Sequence, residues 1–201
     1  VIRMSGLEII EKYQIPDKPD FYATTSHRFK LDLFDFFNDH KDKVLIEFGT
    51  SRGFTSVFCS RIFKNVHTIN IQRTKETDEC VGQVDNIDQY VIDLCDPDNV
   101  DKLRDIEKAD VYIVDALHSY NAIINDTFTA KEHCNEGAYI VYDDYGTYPE
   151  IKKAVDELIE QKEIKFIKYI GHEAGWSYGE GGGVGYERTL QDREGVICQI
   201  L

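Results

Sequence analysis

Short apolar runs recur along the chain at residues 44–46, 66–71, 111–114 and 138–142. Each is rich in Val, Ile or Tyr, is bounded by polar or Gly residues, and shows no strict alternation. That is the pattern of strands covered on both faces, as in a parallel sheet. Residues 89–92, 164–170 and 196–201 read as further strands. Between the runs a helical period takes over. Residues 28–38 set Phe29, Leu33, Phe36 and Phe37 on one face, and 55–63 predicts a second helix. Asp96 and Pro97 suit the cap and first turn of a third. Residues 120–134 predict a fourth, and Thr147 to Glu150 reads as a capping box opening a fifth that runs to about Gln161. Strand and helix alternate. The expectation is an α/β fold: a Rossmann-like, doubly wound, mostly parallel seven-stranded sheet with an antiparallel C-terminal edge hairpin.

Ligands of such sheets bind at the carboxyl ends of the strands. The first strand is followed by Glu47-Phe48-Gly49-Thr50-Ser51-Arg52-Gly53. Gly49 permits a sharp turn and close approach of backbone to a ligand, and Gly53 lets the next helix start close to the sheet. The G-x-x-x-G spacing is neither a P-loop nor the dinucleotide G-x-G-x-x-G. A carboxylate ahead of it suits a cationic ligand better than a pyrophosphate; the segment also reads as a purely structural turn.

Two later strands end in Asp115-Ala116-Leu117-His118 and in Asp143-Asp144. Asp115 and Asp143 stand 28 residues apart, the length of a βαβ unit. If the strands are neighbours, three carboxylates converge. They persist by holding a divalent cation or a cationic substrate, or one or two of them merely cap helices or pair with a lysine. Oxygen-only ligands favour Mg²⁺, Mn²⁺ or Ca²⁺ over zinc. His118 reads as a general base near neutral pH, a metal ligand or a plain helix-start residue.

A chain of 201 residues is sized for one domain, 1–201, with an N-terminal lid and helix over about 1–40 and a catalytic core over 41–201. Its first residue is Val1, so a segment excised from a longer chain is expected. Lys and Arg number 23 against 37 Asp and Glu, a net charge of −14. That charge disfavours nucleic-acid and membrane-surface partners. No apolar run approaches the ~20 residues of a membrane span. The cysteines Cys59, Cys80, Cys95, Cys134 and Cys198 are odd in number and widely spaced. They predict no disulfide framework, and a reducing, cytoplasmic compartment. Cys59, Cys95 and Cys198 read as small core residues. Residues 179–185 are a flexible loop by composition.

The motif E-F-G-T-S-R-G resembles the acid-x-Gly-x-x-x-Gly of class I S-adenosylmethionine-dependent methyltransferases. The blocks V-D-A-L-H-S-Y and G-A-Y-I-V-Y-D-D-Y resemble one branch of them, the metal-dependent sugar O-methyltransferases of macrolide biosynthesis and the cephalosporin-hydroxylase-like proteins. The likeness covers about residues 44–158. It implies that Glu47, Gly49 and Gly53 line the methionine and ribose end of S-adenosylmethionine, with Thr50 and Ser51 lending amides or hydroxyls. Asn70, with Gln72 nearby, stands where the family has an acid for the ribose diol; a neutral amide holds a diol less strongly. Asp93 and Leu94 match the adenine contacts. Asp115, beside the cofactor, Asp143 and Asp144 match the ligands of a divalent metal (Mg or Mn), and His118 matches a catalytic base.

The implied activity is methyl transfer to a sugar hydroxyl, since a vicinal diol chelates an ion well. A catechol-type enzyme, a non-catalytic cofactor-binding module and, less favoured by the glycine spacing, a dinucleotide oxidoreductase are the alternatives. Tyr145, Tyr148, Trp176 and Tyr178 are candidates to face the acceptor, or are packing residues. The segment from Thr24 to Arg28 is a candidate lid over the cofactor. The chain also resembles methyltransferase domains fused to glycosyltransferases in chloroviruses, large algal viruses in which rhamnose is methylated; that implies a sugar or glycan partner and the host cytoplasm.

Overall fold

The computed structural model describes residues 4–21, 23–96, 99, 101–180 and 187–201. Its strands are β1 Val44–Phe48, β2 Asn65–Asn70, β3 Ile87–Val91, β4 Ala109–Val114, β5 Cys134–Tyr142, β6 Ile164–Ile170, β7 Ser177–Glu180, β8 Glu187–Thr189 and β9 Gly195–Ile200. The described helices are α1 Gly6–Lys12, α2 His27–Phe37, α3 Phe54–Cys59, α4 Lys75–Val81, α5 Tyr120–His133 and α6 Pro149–Glu160. Seven strands form one sheet in the order β3-β2-β1-β4-β5-β9-β6. β1 to β5 are parallel, and β9 runs antiparallel to both its neighbours, β5 and β6. The expected Rossmann-like sheet with an antiparallel edge is therefore present.

Central strands lack alternation because both faces are covered. Ile46, Phe48, Tyr112, Val114, Ile140 and Tyr142 pack with α5 and α6 through Ile123, Ile151 and Val155. Leu45, Val111, Ile113 and Val141 on the other face pack with α1, α2 and α3 through Ile9, Phe29, Leu33 and Phe58. The order reverses between β1 and β4, the switch point where open α/β sheets form a crevice. Register there decides the site. Phe48 pairs with Val114, and Val114 with Tyr142, so Gly49, Asp115 and Asp143 leave the sheet side by side.

Several local expectations need correction. The Thr147–Glu150 capping box is absent: Tyr148 is the N-cap of α6 with no side-chain bond, and Pro149 opens the helix. Glu150 instead accepts from the Tyr120 amide at the start of α5, 3.3 Å away. A real capping box joins Ser5 and Glu8 in α1, a helix not predicted. Of the helix expected from Asp96 and Pro97, Pro97 lies outside the described residues; a 3₁₀ turn covers Asp101–Asp105. Cys59 and Cys198 are buried, whereas Cys95 is exposed rather than a core residue. Part of the Gly-rich loop pairs as the β7–β8 ribbon; residues 181–186 lie outside the described ones. Among the described residues no helix is long and apolar enough to cross a membrane.

Candidate active site

Gly49 adopts φ +97°, and a Cβ there would lie 2.1 Å from the Asp115 carbonyl oxygen. Gly53 caps α3 at φ +85°, with a Cβ position 2.7 Å from Val81. Both glycines are therefore dictated by sterics. Two cavities open beside this loop. The first, about 240 Å³, is apolar and lies over the ends of β1, β2 and β3. Gly49, Ile69, Asn70, Asp93, Leu94 and Leu117 help to line it. The second, about 270 Å³, is polar and acidic, and is lined by Ser51, Asp115, His118, Asp143, Asp144 and Tyr148, with Lys18 and Thr24. Ala116 lines both.

In the acidic cavity Asp115, His118 and Asp144 offer ligand atoms within 4.8 Å of one another. His118 Nε2 stands 3.3 Å from Asp144 Oδ2 and 3.8 Å from Asp115 Oδ1. Its ring stacks on Tyr148, centroids 4.4 Å apart and 11° from parallel. Partial burial opposes charge on this imidazole, but the two carboxylates prevail and raise its pKa. Asp144 sits at φ +57°, a left-handed conformation that costs a non-glycine residue about 1 kcal/mol or more. The Thr147 and Tyr148 amides donate to its carbonyl, fixing the turn.

The structure does not bring Asp143 into this trio. Its side chain is 3% exposed and its Oδ2 stands 3.5 Å from Lys18 Nζ. Its Oδ1 is buried without a hydrogen-bond partner. Burial pushes the Asp143 carboxyl well up despite Lys18, and burial likewise raises Asp115. Burial also works against charge on Asp144, yet Lys18 and His118 hold it below its ordinary value.

Other predicted residues divide. Asn70, Asp93 and Leu94 line the apolar cavity. The Asp93 carboxylate also accepts from the Cys95 amide at 2.9 Å, and Asn70 Oδ1 from the Ile71 amide at 3.0 Å. Glu47 lines neither cavity. It is 1% exposed and takes hydrogen bonds from Ser56 and, at 2.8 Å, from Thr68. Burial pushes its pKa up to about 7. Thr50 bonds to Thr68 behind the loop.

Tyr148 lines the acidic cavity. Tyr145 does not: it is buried, its hydroxyl donating to Asp156 at 2.6 Å and accepting from Lys152 at 2.6 Å. Trp176 stacks on His172, centroids 3.7 Å apart, and lines neither cavity. The backbone of Tyr178 lies in β7; its side chain is outside the described ones. Thr24 walls the acidic cavity rather than the apolar one.

Three residues escaped sequence reasoning. Lys18 reaches the acidic cluster from a polar N-terminal segment with no motif around it. Glu194 is fully buried, accepting from the Ser26 amide and hydroxyl and from the His172 amide. Asp126, buried on α5, lines the apolar cavity with a pKa pushed up to about 7 by burial. An acid on the inward side of a helix was the available signal for Asp126.

Residues 46–145 match the model of a methyltransferase domain family. The chain carries a methyltransferase domain. The matched span runs from β1 through the Asp143-Asp144 turn, so both cavities draw their walls mainly from this domain. An uncharacterized protein of Acanthamoeba polyphaga mimivirus is 27% identical over 110 residues, 52% of this chain and 41% of the viral one. The chain thus spans less than half the length of that relative.

Solved structures share the fold. The precorrin 8w decarboxylase of Methanobacterium thermoautotrophicum superimposes with a TM-score of 0.62 at 14% identity, over 92% of this chain and 95% of that one. The MycE methyltransferase of the mycinamycin biosynthetic pathway, in complex with Mg, SAH and mycinamycin VI, gives 0.63 at 16%, over 92% and 58%.

Proposed function

We propose that this methyltransferase uses S-adenosylmethionine to methylate a hydroxyl of a sugar or glycan. The observation that carries the reading is the meeting, at Ala116, of an apolar cavity suited to a nucleoside and an acidic cavity bearing His118. The apolar walls suit adenine, with Asp93 at one edge and Asn70 placed for the ribose. The methionine end then passes Gly49, where no side chain fits, and directs its sulfonium toward the carboxylates. A cationic donor gains from that field.

Methyl transfer is an in-line displacement, so the protein must place the acceptor oxygen and remove its proton. His118 is placed to take that proton, its ring held by Tyr148 and its charge favoured by Asp115 and Asp144. A positioned base contributes on the order of 10²–10⁴ in rate. The residues also suit a divalent ion, Mg or Mn: Asp115 and Asp144 would hold it, and Asp143, paired with Lys18 through one oxygen, keeps its other oxygen buried without a hydrogen-bond partner. Bound there, such an ion supplies Lewis acidity to a hydroxyl. The exposed edge of Tyr148 suits the apolar face of a sugar ring. A cytoplasmic location and fusion to glycosyltransferase domains accompany this proposal.

The test is methyl release from labelled S-adenosylmethionine with rhamnosides, other glycosides and catechols as acceptors, with products located by NMR. A methylated sugar oxygen supports the proposal. Transfer to catechols alone, or binding of the donor without transfer to any acceptor, contradicts it.

A further inference from the structure

Three carboxylates, Asp115, Asp143 and Asp144, line the acidic cavity, and a fourth, Glu194, is buried near them. A lysine from the N-terminal segment enters among them. Lys18 is 4% exposed, and its Nζ stands 3.0 Å from Asp144 Oδ1, 3.5 Å from Asp143 Oδ2 and 3.8 Å from Glu194 Oε1. An ammonium so buried is tolerated only where carboxylates surround it. Its backbone is tied down as well. The Asp17 carboxylate accepts from the Lys18 amide and from the His27 amide at the start of α2, both at 2.8 Å. Lys18 thus takes one oxygen from each of two carboxylates that the sequence pattern offers to a divalent ion. The other oxygen of Asp143 is buried without a hydrogen-bond partner.

We propose that Lys18 is a tethered cation that competes with the divalent ion for Asp143 and Asp144. While Lys18 is in place, Asp143 is withdrawn from the ligand set, and an ion is held weakly by Asp115 and Asp144. When Lys18 leaves, Asp143 joins them. Like charges a few ångströms apart in a partly dry cavity repel strongly, which gives the competition its strength. The inference rests on the acidic cavity being a cation site, as proposed above, and not on the donor or the acceptor.

The experiment is calorimetric titration of the whole chain with MgCl₂ and with MnCl₂, without donor or acceptor. Lys18→Met keeps the length and packing of the side chain and is expected to raise affinity for either ion by about tenfold or more. Lys18→Arg keeps the charge and the weak binding. Asp143→Asn alone is expected to change affinity by less than about twofold, and to abolish most of the gain when combined with Lys18→Met, a coupling read from the double-mutant cycle. Unchanged or lower affinity in Lys18→Met overturns the proposal, as does a gain that survives Asp143→Asn. If Lys18→Met does not fold, Asp143→Asn decides alone: a clear loss of affinity identifies Asp143 as a ligand already in use and contradicts the competition. Absence of binding in every variant overturns both the competition and the cation site. SAH titration of the same samples then shows independently whether the donor cavity stands.

Discussion

Gly49 and Asp115 touch through their backbones. A Cβ on Gly49 would stand 2.1 Å from the Asp115 carbonyl oxygen, closer than any real contact. The β1 turn and the β4 turn therefore pack backbone against backbone, beside the Ala116 wall that the two cavities share. Gly49→Ala meets both this clash and a φ of +97°. It is expected to lower stability by roughly 2 kcal/mol or more and to weaken SAH binding. Urea denaturation and calorimetry check this; a variant of wild-type stability and affinity would contradict this packing.

His118→Gln tests the base. The substitution is expected to lower kcat by about 10²–10⁴ while leaving affinity for the donor nearly unchanged. The base works only when neutral, so activity rises with pH. In the metal-free chain Asp115 and Asp144 raise the imidazole pKa against its partial burial, so an NMR titration without added ion should place it above the ordinary value of about 6.5. A profile flat from pH 6 to pH 8, or a kcat untouched by the substitution, would remove His118 from proton transfer.

Buried Glu47 makes a different pH prediction. Its folded pKa is pushed up to about 7 by burial, above the ordinary ~4.3. The folded state then holds a proton that the unfolded state has lost. Stability from this group is full below about pH 4.3 and falls as pH rises toward 7, by about 4 kcal/mol in all. Glu47→Gln removes that loss. The stability difference between variant and wild type, measured by denaturation at pH 5 and pH 8, should shift in favour of the variant at pH 8. An equal difference at both values would show that the carboxyl ionises freely.

Much of this was legible in the chain. Uninterrupted apolar runs such as Val111–Val114 revealed strands covered on both faces, and a parallel sheet followed. Gly49 and Gly53 carried their own steric reason. The convergence of Asp115 with Asp144 followed from strand adjacency, because register 1:1 along β1, β4 and β5 carries residues far apart in sequence to one edge. What stayed hidden was longer in range or finer in orientation. Lys18 lies more than 120 residues from Asp143, and no local period announces that the N-terminal segment returns to the sheet. Asp143 and Asp144 are adjacent, yet the left-handed turn at Asp144 aims their carboxylates differently. Tyr145 looked like an acceptor contact by position, but its ring is buried and its hydroxyl bonds to Asp156 and Lys152 on α6 instead.

Asn70 offers a gain-of-function test. It lines the apolar cavity, and in the proposed donor pose a carboxylate there would accept both ribose hydroxyls in charge-assisted bonds. Asn70→Asp is expected to tighten SAH binding by roughly three- to tenfold. No change, or weaker binding, would move the ribose away from the end of β2.

Chelation probes the acidic cavity. EDTA should lower turnover and added Mg²⁺ restore it, whereas Asp144→Asn should be insensitive to both. Turnover indifferent to EDTA in the wild-type chain would take the ion out of the account.

The most direct measurement is a crystal structure of the chain with SAH and a rhamnoside. The account predicts adenine between Asp93 and Leu117, the thioether sulfur beside Ala116, and a sugar hydroxyl between that sulfur and His118. Adenosine bound elsewhere, or a sulfur facing away from Asp115 and His118, would contradict it.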